Sequence, residues 1–105
     1  MTSAASGTEV LYYHRSWKGE KMAQILLDYL VAHLGLPSRG IKPCTSEDRG
    51  GYLLRYTKAP CVICEPFFID NSVDLARAQE DLPGLARAYA QAIEKIGALA
   101  QRGFQ

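Results

Sequence analysis

Hydrophobic and polar positions fall into two alternating regimes along this 105-residue chain. Residues 8–14 (Thr-Glu-Val-Leu-Tyr-Tyr-His) are dense in strand formers and apolar on both faces, which predicts a strand. Gly7 precedes it, and Ser16 follows as a helix N-cap candidate. Over residues 17–34 the period changes to that of a helix. Met22, Ile25, Leu26, Tyr29, Leu30 and His33 share one stripe, Leu27, Val31 and Leu34 widen it, and Glu20, Lys21, Gln24 and Asp28 form the wet face. Gly35 and Pro37 stop the helix. Residues 35–51 read as a loop, because Pro37, Arg39-Gly40, Pro43 and the stretch 45–51 are loop chemistry. Residues 52–56 read as a short strand or a strand-like edge, broken by Lys58-Ala59-Pro60. Cys61-Val62-Ile63-Cys64 has no polar face, as expected of a central strand covered on both sides, and it ends at Glu65.

Asn71 or Ser72 caps a short helix through about Gln79. Asp81 caps the last helix, with Pro83 in its first turn. Leu82, Leu85, Tyr89, Ile93, Ile96 and Ala100 are expected on its buried face, and Arg87, Gln91, Glu94 and Lys95 on the wet one. Strands and helices that alternate predict an α/β fold with a small, mostly parallel sheet flanked by helices. Residues 1–6 read as a flexible N-terminus and 7–105 as a single domain.

Composition narrows the function classes. Hydrophobic residues make up 48% of the chain, enough for one core. Twelve Lys and Arg face eleven Asp and Glu, and a net charge of +1 gives no reason to expect a nucleic-acid or membrane partner. The N-terminus lacks the basic start and apolar run of a signal peptide, and no apolar run approaches the roughly 20 residues of a membrane span. These features predict a cytoplasmic protein, or one released without a signal peptide, as a phage lysis protein would be. Cys44, Cys61 and Cys64 are an odd set, which argues for thiols in a reducing compartment.

Glu65 is the sharpest candidate for chemistry. It ends an apolar strand, and open parallel sheets bind ligands at the carboxyl ends of their strands. Pro66 restricts it to extended backbone. His14 ends the first strand and is expected at the same edge as Glu65. His33 lies on the helix stripe and reads as core or boundary. Two such histidines do not make a zinc site, which needs three protein ligands and an open position. Cys61 and Cys64 are spaced like a metal or redox pair, but residues three apart in a strand point to opposite faces, so they read as structural thiols. Arg15, Lys18, Arg39, Lys42, Arg55 and Lys58 flank strand ends, either as a solvated face or as groups for an anionic ligand. Tyr12, Tyr13 and Trp17 either stack on a ligand or simply pack.

Three segments, in order, resemble the zinc-dependent N-acetylmuramoyl-L-alanine amidases. They are Gly7-Thr8-Glu9-Val10-Leu11-Tyr12-Tyr13 with the helix start at Lys18-Gly19-Glu20, then Arg39-Gly40-Ile41-Lys42-Pro43, then the block from Leu54 to Glu65 followed by Phe68-Ile69-Asp70-Asn71. The resemblance runs over about residues 7–100 and corresponds to the C-terminal half of the family's domain. It implies a truncated amidase-like fold, an action on peptidoglycan, and Glu65 as the catalytic general acid/base. His14, Arg15, Arg55, Lys58 and Asn71 are the candidate ligand-binding residues.

The departures are equally specific. The family's zinc ligands, two histidines and a glutamate, precede the matched segment, so no cofactor is expected in this chain. Phe67 stands where the family usually has glycine. The expectation is therefore an amidase-like protein that acts on or binds peptidoglycan fragments and is inactive alone. The alternative is a non-enzymatic, small-ligand-binding (sequestering) protein, of a kind that a phage would encode, that holds a muropeptide or a nucleotide-like signal. The expected partners are a second copy of the chain and a small polar or anionic ligand.

Overall fold

The computed structural model describes residues 5–47 and 60–105. The strand expected at 52–56, and with it Arg55 and Lys58, lies outside those residues. The described elements are β1 (Thr8–Tyr13), α1 (Trp17–Leu34), β2 (Ser38–Cys44), β3 (Val62–Glu65), α2 (Ser72–Glu80) and α3 (Leu82–Gln101).

Local chemistry sets the helix ends. The Ser16 hydroxyl accepts the Gly19 N–H at 2.9 Å and so satisfies one of the unpaired amides of the first turn of α1. Gly35 closes α1 with φ 66°, its N–H bonded to the Val31 carbonyl at 2.8 Å. The Asn71 side chain caps α2, and Asp81 accepts the Gly84 N–H at 2.9 Å to cap α3.

The strands are ordered β2-β1-β3. β1 and β2 run parallel, whereas β3 runs antiparallel to β1. The α/β class holds, but the sheet is mixed rather than mostly parallel. β3 is also an outer strand among the described residues, not a central one, and all four of its residues are half-buried. β2 overturns the reading of residues 35–51 as loop. Its sequence lacks an apolar pattern because most of it is exposed, and its order comes from pairing with β1. Pro43 is tolerated because an outer strand need not donate on its far side.

Thr8 pairs with Ser38 but Glu9 pairs with Gly40, so Arg39 is an extra residue, a β-bulge. Gly40 completes it at φ 80°, a conformation that a residue with a Cβ rarely adopts.

One face of the sheet carries Val10, Tyr12, Ile41, Val62 and Cys64. It packs on Ala23, Leu26 and Leu27 of α1 and on Tyr89, Ala92 and Ile96 of α3. The other face carries Leu11 and Ile63, clustered with Tyr13, Cys44 and Cys61. Cys61 and Cys64 thus point to opposite faces, as strand geometry demands. The approach of α3 to α1 differs from the expected stripe. Gly84, Ala88 and Ala92 are its buried residues, while Leu82 and Ile93 are 57% and 62% exposed. Small residues allow close helix contact, and a stripe chosen by hydrophobicity alone misses them. Among the described residues no helix is long and apolar enough to cross a membrane.

Candidate functional site: a carboxyl pair at one end of the sheet

Because β3 is antiparallel, its C-terminal Glu65 falls opposite Glu9, at the N-terminal end of β1. Directly opposed residues in antiparallel strands project to the same face. Glu9 is 9% exposed. Arg39, carried there by the bulge, places Nε 2.9 Å from Glu9 Oε1. Burial alone would raise the pKa of Glu9. Hydrogen bonds from Arg39 and Glu65, and the positive charges of Arg39 and Lys42, outweigh it and hold Glu9 below its ordinary value of 4.5. The Arg39 guanidinium also lies 5.1 Å from the centre of the Phe68 ring.

Beside Glu65 is an open groove of about 570 Å³, lined by Cys64, Glu65, Pro66, Phe67, Phe68, Ile69 and Asp70. Its turn is pinned from two directions. Thr8 Oγ1 donates to the Pro66 carbonyl at 2.7 Å. The Phe68 N–H donates to Asp74 at 3.1 Å, and Asp74 is fully buried.

The expected site residues do not all converge here. His14 and Arg15 are exposed and follow β1, at the end of the sheet away from Glu65. His14 is five residue steps from Glu9, roughly 17 Å at strand rise. The expectation that His14 and Glu65 share an edge assumed parallel strands, and the antiparallel β3 reverses it. Asn71 lies near the groove, but its side chain serves structure. Oδ1 accepts the Val73 and Asp74 N–H groups, both at 3.0 Å, and Nδ2 donates to the Ala5 carbonyl at 3.2 Å. Ala5 and Ser6, at the end of the segment expected to be flexible, are fastened through these bonds and through Ser6 Oγ to Asp74 at 2.6 Å.

Sequence reasoning missed Glu9 and Asp74. Glu9 had a faint signal, as a lone acid in an apolar strand. Asp74 had none beyond its place in a helical first turn.

Among the described residues no group of three or more His, Cys, Asp or Glu side chains could hold a metal ion. The chain has two histidines. His14 is far from Glu65, and His33 lies on α1 against Gly84, Arg87 and Ala88. Cys64, whose thiol burial pushes up in pKa despite a hydrogen bond with Tyr89, faces the helices. This donor set does not fit a zinc site.

Among the described residues the domain is a mixed three-stranded α/β sheet with α1 and α3 packed on one face and Glu65 at the end of an outer strand beside a groove. A family model for N-acetylmuramoyl-L-alanine amidase matches residues 1–95, and the chain belongs to that family. It is 27% identical over 81 residues to N-acetylmuramoyl-L-alanine amidase LytC of Bacillus subtilis, a match that covers 75% of this chain and 15% of that relative. The fold is similar to the catalytic domain of the CD27L endolysin targeting Clostridia Difficile, with TM-score 0.75 and 29% identity over 90% of this chain and 49% of that one. It is also similar to the catalytic domain of CwlV, an N-acetylmuramoyl-L-alanine amidase from Bacillus (Paenibacillus) polymyxa, with TM-score 0.72 and 26% identity over 90% and 50%. The chain therefore spans about half the length of these catalytic domains.

Proposed function

We propose that this chain binds peptidoglycan fragments in the groove beside Glu65, with Glu65 as the amidase-type general acid/base, and that alone it holds such fragments without cleaving them. The observation that carries the reading is the placement of Glu65. It ends β3 on the wall of the groove, directly opposite Glu9 of β1, within the segment that resembles the family's catalytic strand. A half-buried carboxyl on a groove wall is placed to exchange a proton with a ligand held there. Phe67, Phe68 and Ile69 offer apolar surface to a ligand, and Ile69 is 75% exposed. Among the described residues the charged side chains that line the groove are Glu65 and Asp70, which suits an amine-bearing peptide better than a nucleotide-like anion.

The amidase reaction draws its nucleophile from a metal, and the described residues do not assemble a site for one, so hydrolysis by this chain alone is not expected. Calorimetric titration with a purified muramoyl-peptide tests the reading. The native chain should bind, and Glu65→Ala should bind at least tenfold more weakly with an unchanged circular dichroism spectrum. Absence of binding by the native chain would sink the proposal. Release of L-alanine amino termini from peptidoglycan, abolished by Glu65→Gln, would show that the chain is an active hydrolase.

A further inference from the structure

The outward side of α3 is apolar as well as its inward side. Leu82, Ala86, Ala90, Ile93 and Gly97 are all exposed, and at 3.6 residues per turn they fall within roughly 80° of arc. The charges of Arg87 and Glu94 border this stripe on one side. Gly97 is a costly residue for a helix interior, and a Cβ there would meet nothing within 4 Å among the described residues. Gly84 differs, because a Cβ there would strike Asp81 and His33. Packing among the described residues therefore accounts for glycine at 84 but not at 97. A neighbour from outside the chain that approaches α3 closely would account for it.

We propose that the exposed face of α3 is an interface for a second copy of this chain, with the two α3 helices packed antiparallel about a two-fold axis that passes between Tyr89 and Ala90. The stripe complements itself under that operation. Leu82 of one copy falls opposite Gly97 of the other, and Ile93 falls opposite Ala86, so each large side chain meets a small one. Ala90, next to the axis, lets the two helices come close. The same operation sets Arg87 within one position of the partner's Glu94, on the same side of the seam, and symmetry makes the pair twice. Within the chain Arg87 lies 3.9 Å from Asp81, with both side chains more than half exposed, a contact of little weight that leaves Arg87 able to turn to a partner. An unrelated helix would match these spacings by chance, whereas a second copy matches them by symmetry. One helix face is smaller than a standard interface of about 1,600 Å², so the dimer should be weak and reversible.

The test is sedimentation equilibrium of the full chain from low to high micromolar concentration, compared across the native protein, Gly97→Leu, Arg87→Glu, Glu94→Arg and the double reversal Arg87→Glu/Glu94→Arg. The native chain should show a reversible monomer–dimer equilibrium. Gly97→Leu should weaken it at least tenfold with an unchanged circular dichroism spectrum, because the added side chain enters space that is open in the monomer. Each single charge reversal should weaken the dimer, and the double reversal should restore it, since it exchanges the two charges across the seam. A native chain that stays monomeric at high micromolar concentration overturns the proposal. So does an equilibrium that Gly97→Leu leaves unmoved, which would place the contact elsewhere, as at the outer strands β2 and β3. If Gly97→Leu alters the circular dichroism spectrum, the charge reversals decide it, and a double reversal no tighter than the single ones overturns the proposal.

Discussion

The carboxylate of Asp74 accepts the backbone N–H of Gly7 at 3.0 Å across 67 residues of sequence. The same carboxylate takes the Ser6 hydroxyl and the Phe68 N–H, so one fully buried acid ties the entry to β1, the turn after Glu65 and the first turn of α2. Its position in that first turn also suits a negative charge. Asp74→Ala would strand two backbone donors and should destabilise the chain by about 3 kcal/mol in urea unfolding at pH 7. A loss below about 1 kcal/mol would show that water replaces the carboxylate easily.

The same residue predicts an acid-sensitive fold. Burial alone would raise its pKa, but hydrogen bonds from Ser6, Gly7 and Phe68 hold it below its ordinary 3.8. The unfolded chain therefore takes up a proton at a higher pH than the folded one does. The contribution of Asp74 is complete above about pH 4 and is lost as pH falls through the folded value. Asp74→Asn should flatten the acid limb of the stability curve. An acid limb as steep as the native one would assign the sensitivity to other groups.

Gly84→Ala tests the close contact between α1 and α3. In an ordinary helix the change is favourable by about 1 kcal/mol. Here a Cβ would strike the Asp81 carboxylate that caps α3 and the His33 ring of α1. Overpacking of this kind costs about 1–3 kcal/mol, so the net effect should be a lowered Tm. A raised Tm would mean that His33 and Asp81 move aside freely.

Dialysed protein should carry well below one zinc per chain by elemental analysis. Zinc sites need three or four converging donors, and the described residues provide no such group. A stoichiometric zinc content would require ligands beyond the described residues of one chain.

Self-association is expected from the surface that the fold presents. β2 and β3 are the outer strands of the described sheet, and outer strands recruit other chains. Ile69, Val73 and Trp17 are more than half exposed. The simplest arrangement is a symmetric dimer. Light scattering across a concentration series should give a mass above that of the 11.6 kDa monomer at high micromolar protein. A monomer mass throughout would end the idea.

Much of this protein is decided within a few residues of chain. Ser16, Gly35, Asn71 and Asp81 mark their helix ends because capping is a contact between a side chain or amide and the adjacent turn. The apolar run of β1 and the final position of Glu65 in β3 are legible for the same reason. Tertiary structure decided the rest. Ser38–Cys44 is a strand only because β1 supplies its partners, and no local pattern demands it. The buried face of α3 follows Gly84, Ala88 and Ala92 because α1 comes close there, which favours small side chains over the larger Leu82 and Ile93. Strand direction is the clearest case. Whether Glu65 meets His14 or Glu9 depends on whether β3 runs with β1 or against it, and the residues of either strand alone are compatible with both. The antiparallel choice brings Glu65 to Glu9 and Arg39, and it leaves His14 and Arg15 at the far end of the sheet.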